Sequence, residues 1–220
     1  MKLYTDTVSQ NTFSVLKNLM EDEKLSSFIL VGGTALSLQI GHRISIDIDL
    51  FSDKKFDKAE LLKHMQTRFG FRLPVYSDIA LHGFIGNLKT DLVYYENGFV
   101  NNPVVSNGIR MAGLEDIAGM KLEAIANVGN RVKDYVDIAF LSEYLPLNKM
   151  LSVFKAKFGY DEAFALRSLN VFSEVDVTKD IFLMKGKFNW GVVKKRITDM
   201  TSDPLLIFPS MRMEAKRKLG

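Results

Sequence analysis

The feature that most constrains this chain is the run VGGTALSLQIGHRISIDIDLF, residues 31–51. A short β-prone stretch, Phe28 to Val31, stops at Gly32-Gly33, and Ala35 to Ile40 reads as a brief helix. Thirteen residues separate Gly33 from Asp47-Ile48-Asp49. From Ile44 to Phe51 apolar and polar residues alternate, which predicts a strand with Ile44, Ile46, Ile48 and Leu50 on one side and Ser45, Asp47 and Asp49 on the other. Two carboxylates at i and i+2 on a strand share a face, where their repulsion is costly unless a cation lies between them. Hard oxygen donors suit Mg²⁺, or Mn²⁺, which keeps positions open for water and substrate phosphates. A glycine pair opening a helix lets backbone amides approach a phosphate, and the Thr34 hydroxyl is a further donor. Each part alone is weak, since a D-x-D is often a solvated strand face and Gly-Gly often a turn. Joined in this order they point to a site for a nucleoside triphosphate and its metal.

The rest of the chain sorts into two halves. Apolar spacing predicts a helix from about Asp6, its candidate cap, to Glu23, and another over 58–69. Candidate strands follow at 79–86 and 88–95. From Gly113 onward helical patterns follow one another, near 114–127, 132–144, 147–157, 161–170 and 191–200, with no convincing strand. An α/β core over 1–112 and a helical lobe over 113–220, with a ligand cleft between them, is the expected organisation. Leu16, Phe140 and Phe154 read as core on helical stripes, and Trp190 as packed.

With 47% hydrophobic residues the chain can fill such a core. The absence of cysteine excludes a disulfide framework and thiolate chemistry. No Walker-type run occurs, and no apolar run is long enough for a signal or a membrane span, so a protein of the cytoplasm is expected. The net charge is +3, but residues 181–220 carry nine basic side chains against three acidic ones. A basic end on a slightly acidic body suits contact with a polyanion, although a solvated helix and tail would look the same.

The run at 31–51 resembles the signature of the polymerase-β-like nucleotidyltransferase superfamily, with Val31, Gly32, Gly33, Asp47, Ile48, Asp49 and Leu50 in its places. The fuller strings GGTAL and HRISIDIDLF resemble the AbiEii/AbiGii toxin family within it. The resemblance implies a mixed-sheet nucleotidyltransferase core followed by a mostly helical C-terminal lobe. It also implies a third carboxylate on a neighbouring strand. Asp91, in the β-prone LKTDLVYY, is the candidate, ahead of Asp78 in its turn context. Three carboxylates can hold two metals.

The segment MKLEAIANVGNRVKDYVDIAFL, 120–141, is similar to the family's later motif. There the resemblance assigns Lys121 to the triphosphate and Lys133-Asp134 to a basic-acidic pair facing the nucleotide, with Asp137 one turn on. Relatives often carry a basic residue where this chain has Val128, and Arg131 is the candidate substitute. For these helix residues a solvated face is the competing reading. His42 and Arg43 precede the aspartates and are further candidates, whereas His64 and His82 have no metal-ligand spacing. The implied activity is Mg²⁺-dependent transfer of a nucleoside monophosphate to an acceptor hydroxyl, with RNA, such as a tRNA end, as acceptor. The implied setting is the toxin of a toxin–antitoxin pair, with a cognate antitoxin as partner. The alternatives are an inactive nucleotide- or RNA-binding protein of the same fold, or an enzyme that modifies a protein side chain.

Overall fold

A computed structural model describes residues 2–76 and 79–211, and the chain divides into two compact units, Met1–Gly113 and Leu114–Gly220. Asp78 and the basic residues Arg212, Lys216, Arg217 and Lys218 lie outside the described residues.

In the first unit the strands are β1 (Ile29–Leu30), β2 (Ile48–Ser52), β3 (Phe71–Tyr76), β4 (Ala80–Ile85), β5 (Leu88–Tyr94), β6 (Val104–Ser106) and β7 (Ile109–Met111). Among the described residues they form one mixed sheet in the order β3-β4-β5-β2-β1-β7-β6. β2 and β5 run parallel at its centre, β1 pairs antiparallel with β2, and the β4–β5 hairpin is antiparallel. The helices are α1 (Gln10–Glu21), α2 (Gly32–Ile40) and α3 (Lys58–Phe69). One side of the central strands is dry: Ile48, Leu50, Leu92 and Leu81 are buried together with Leu16, Leu19, Leu36, Leu38 and Met65 from the helices. Arg110 pins β7 to the end of α1 and the turn after it, donating to the carbonyls of Phe28 (3.1 Å), Met20 (2.8 Å) and Leu25 (3.0 Å).

Three sequence expectations need correction here. Asp6 does not cap the first helix; it lies in a 3-10 turn at Thr5–Thr7, and Ser9 caps α1 by accepting from the Thr12 amide at 3.0 Å. Ser9 sits one residue before the helical periodicity truly starts, which is where a hydroxyl cap works. The second strand begins at Ile48, not Ile44, and Ile46 is 59% exposed. An alternating pattern cannot separate a paired strand from an extended loop that has no neighbour to pair with. Strands β3, β6 and β7 are additions that the sequence pattern did not indicate.

The second unit is helical: α4 (Leu114–Asn127), α5 (Val132–Leu141), α6 (Leu147–Phe158), α7 (Glu162–Leu169) and α8 (Trp190–Ser202). These match the expected helices to within a few residues. Helix α4 packs on α5, α6 and α7, and α5 packs on α8. Ile117, Leu122, Val136, Ile138, Met150, Phe154 and Ile197 fill the centre. Trp190 stands edge-on to Tyr135 and to Phe172, with 5.8 Å between ring centres in each pair. Phe140, expected in the core, is only half-buried, the one residue from Asp134 to Leu141 of α5 that is not fully buried.

Candidate active site

Helix α2 starts immediately after β1, and the turn is made by Gly32 in the left-handed region, φ +67°. A side chain is excluded there twice over. The backbone angle favours glycine, and a Cβ on Gly32 would come within 2.7 Å of Asp49 Oδ2. The Asp49 carboxylate is therefore pressed against the head of α2, where the helix dipole favours negative charge. The Val31 amide donates to the Asp49 carbonyl at 2.9 Å, which fixes the backbone on which the carboxylate rides.

Gly33 has its own neighbour, the Arg43 guanidinium, whose Nη2 would lie 2.3 Å from a Cβ placed there. Arg43 is buried and also donates to the Ile44 carbonyl at 3.1 Å, so a positive charge is fixed over the glycine turn. Thr34 is buried as well. Its hydroxyl donates to the Asp47 carbonyl and lies 2.9 Å from Ser45 Oγ. The expected free donor is thus a brace that positions Asp47, and the Ser45 amide bonded to the Thr7 carbonyl at 2.9 Å holds the same loop from the other side.

Asp91 is the expected third carboxylate. In the parallel β2–β5 ladder Asp49 and Asp91 are direct partners, so their side chains leave the same face of strands about 4.8 Å apart. Asp91 is 7% exposed. Its Oδ2 receives Lys89 Nζ at 2.7 Å and lies 3.3 Å from His82 Nδ1, while its buried Oδ1 has no hydrogen-bond partner among the described residues. Burial alone would lower the Lys89 ammonium, but the hydrogen bond and charge of Asp91, followed by the charges of Asp49 and Asp47, outweigh it and hold this lysine above its ordinary range. All three acids thus act on one lysine.

The donor chemistry suits a divalent cation: the carboxylates supply hard oxygens, and the buried Oδ1 of Asp91 has no hydrogen-bond partner among the described residues. Among the described residues, however, no three acidic or histidine side chains are gathered closely enough to hold an ion as they stand. A lysine ammonium is the cation on the Asp91 side of the cluster.

Lys89 and His82 are the residues that motif reading passed over. Lys89 was visible in principle, since i−2 from Asp91 on a strand shares its face. His82 was not, because its place opposite Asp91 depends on the β4–β5 register.

In the second unit, Lys121 is buried, with Nζ 2.5 Å from Asp134 Oδ1 and 2.8 Å from Asp137 Oδ2. The lysine and acids assigned to the nucleotide by resemblance form an ion triad that links α4 to α5. Arg131 extends the group, 3.5 Å from Asp134 Oδ2 with its own side chain 65% exposed. Beside it is a cavity of about 330 Å³ lined by Asn130, Arg131, Val132, Lys133, Asp176 and Lys179. Val128 is exposed and adds no charge.

The fold and the glycine–carboxylate arrangement define a nucleotidyltransferase core of the polymerase-β-like kind. ANT(2")-Ia in complex with adenylyl-2"-tobramycin superposes with a TM-score of 0.51 at 18% identity, covering 68% of this chain and 97% of that one. JHP933 from Helicobacter pylori is similar at a TM-score of 0.48 and 16% identity, covering 89% of this chain and 90% of that one. A protein from Aquifex aeolicus (strain VF5), the uncharacterized protein aq_aa25, is 32% identical over 165 residues, 71% of this chain and 80% of that protein. Residues 14–87 and 102–190 match the model of the family described as nucleotidyl transferase AbiEii toxin, type IV TA system. The chain belongs to this AbiEii family and is a nucleotidyltransferase.

Proposed function

We propose that this protein moves a nucleoside monophosphate from a nucleoside triphosphate to a hydroxyl of an RNA acceptor, using Asp47, Asp49 and Asp91 with Mg²⁺ or Mn²⁺. The observation that carries this reading is the in-register pairing of Asp49 and Asp91, with Asp49 set against the glycine turn that opens α2. A divalent ion bound to these acids would neutralise triphosphate charge and make the acceptor hydroxyl easier to deprotonate. The chain's own groups do the remainder. Backbone amides at Gly32 and Gly33 receive phosphate oxygens at the head of α2, and Arg43 adds charge beside them. Thr34 keeps the Asp47 loop in place. Asp91 orients the acceptor hydroxyl and takes its proton. The acceptor oxygen bonds to the α-phosphorus, the α–β phosphoanhydride bond breaks, and pyrophosphate leaves with the electron pair.

In the second unit, Arg131 and Lys133 offer charge to a phosphate, and Asp134 with Asp137 holds Lys121 for the same purpose. A polyanionic acceptor suits this cationic rim better than a neutral one. In the biological reading the protein is a toxin paired with a cognate antitoxin, acting in the cytoplasm where nucleoside triphosphates and RNA meet. No helix among the described residues is long and apolar enough to cross a membrane.

The ammonium of Lys89 at the acidic cluster favours one rival, a protein that binds nucleotide or RNA without turnover. Incubation with each α-³²P-labelled nucleoside triphosphate, Mg²⁺ and total RNA separates the two. Label on RNA that disappears with Asp49→Asn supports transfer. Nucleotide binding with no labelled RNA under any of the four nucleotides supports the rival.

A further inference from the structure

We propose that Lys89 is a built-in counter-ion of the acidic cluster, which competes with divalent metal for Asp91 and its neighbours and so keeps the cluster from filling with metal alone. The inference rests on the metal-dependent reading above and names a positioning residue within that site. Three observations carry it.

Lys89 and Asp91 lie two residues apart on β5, so their side chains leave the same sheet face, and Nζ reaches Oδ2 at 2.7 Å. The Lys89 side chain is 48% exposed, whereas that of Asp91 is 9% exposed, so the lysine is the partner free to leave. A long solvated arm loses little when it swings back into water. Finally, the ammonium occupies only Oδ2, and the buried Oδ1 of Asp91 has no hydrogen-bond partner among the described residues. Asp91 thus keeps an unused oxygen beside its in-register partner Asp49, which a purely structural ion pair would have no reason to keep.

Two cations cannot share Asp91 Oδ2 without repelling each other, so metal entry and lysine departure are coupled. With a triphosphate bound, Lys89 would have phosphate oxygens to pair with once it left Asp91, so its departure would cost less. On its own the metal must do the displacement unaided.

The experiment is direct Mn²⁺ binding to the full-length protein without nucleotide, read by electron paramagnetic resonance, for the parent, Lys89→Gln, Lys89→Arg and Lys89→Gln/Asp49→Asn. Lys89→Gln should bind Mn²⁺ about fivefold more tightly, the scale of one half-exposed charge contact. Lys89→Arg should bind like the parent, and adding Asp49→Asn should abolish the gain. Lys89→Gln should also melt at lower temperature than the parent in metal-free buffer and regain the difference when Mn²⁺ is added. Equal or weaker Mn²⁺ binding by Lys89→Gln, with binding still lost on Asp49→Asn, would overturn the inference and leave the metal site standing. If no variant and not the parent binds Mn²⁺, the metal reading fails and this inference goes with it.

Discussion

Two lysine–carboxylate contacts of nearly equal length, one in each unit, stand in opposite situations. Lys89 reaches Asp91 at 2.7 Å on the sheet of the first unit, and Lys157 reaches Asp116 at 2.8 Å between α6 and α4 of the second. Both side chains of the second pair are fully buried. There burial is the dominant influence and pushes the lysine below its ordinary range, even though the hydrogen bond and charge of Asp116 pull the other way. At Lys89 the balance reverses, because more than one acid acts on it at a half-open surface. Distance does not distinguish a pair that holds helices together from one that guards a site. The ratio of acids to bases, and how much water reaches them, does.

The largest effect expected from this contrast is on stability, at the dry pair. Lys157→Met leaves Asp116 buried without its base and should cost about 3–5 kcal/mol. In a chain of this size that lowers the melting temperature on the order of 10 °C. Replacing both members, Lys157→Met with Asp116→Leu, should recover most of the loss, since a well-packed apolar pair avoids the desolvation penalty altogether. Differential scanning calorimetry of the three proteins decides it. A Lys157→Met variant that melts with the parent would show that the second unit has no structural need of this pair.

At the acid-rich cluster the effect should fall on turnover instead. Asp49→Asn should lower kcat/KM for labelled RNA by about 10²-fold or more, the scale of losing one charge aimed at the reacting group. The same change should leave the melting temperature level or raise it slightly, because it removes one of several like charges. A variant that loses activity and stability in parallel would place Asp49 with Lys157, as a structural group.

In both regions the local features are legible in the sequence and the long-range pairings are not. Gly32, Asp47 and Asp49 are local in the chain, so a single motif shows them together, and the position of Gly32 is forced by φ +67° and by the carboxylate against it. The helices of the second unit were legible for the same reason, since helical periodicity is a local property. Lys157 with Asp116, and His82 with Asp91, are matters of tertiary register, which no spacing rule reveals. The strand expected from Ile44 failed on similar grounds, because alternation describes the chain and pairing needs a neighbour. β6 and β7 are three residues each, too short for any periodicity to declare itself. The buried acceptor of the Thr34 hydroxyl, the Asp47 carbonyl, is likewise invisible in a motif.

A third expectation sharpens the dry side of the comparison through pH. Tyr135 is fully buried in the second unit, next to Asp134, and burial first, then the charge of that acid, push its phenol up to about 12. An unfolded tyrosine titrates near 10, so between about pH 10 and 12 the unfolded chain releases a proton that the folded one keeps. Stability from this group is therefore complete below pH 10 and is lost as pH rises through the window, by roughly 2 kcal/mol. Lysines and other tyrosines titrate in the same range, so the readout is the difference between parent and Tyr135→Phe. That difference should shrink, or turn in favour of phenylalanine, from pH 9 to pH 11.5 in urea melts. A difference that stays constant with pH would mean that the hydroxyl is wetter than its surroundings suggest.

The smallest effect should come from the pair with the shortest contact of the three. Lys24 Nζ lies 2.5 Å from Glu60 Oε1, yet the two side chains are 50% and 66% exposed. Water screens the attraction, and holding two long side chains in one geometry costs entropy that offsets what remains. Lys24→Ala should change stability by no more than about 0.5 kcal/mol, and the change should vanish at high salt. Lys24→Ala, Lys89→Gln and Lys157→Met then form a series in which contact length hardly varies while solvent access falls. If the three cost the same, burial and charge ratio do not govern these pairs. If the cost is largest at Lys157, and divalent metal restores the smaller loss only in Lys89→Gln, the acid-rich cluster is set apart by its charge and not by its geometry.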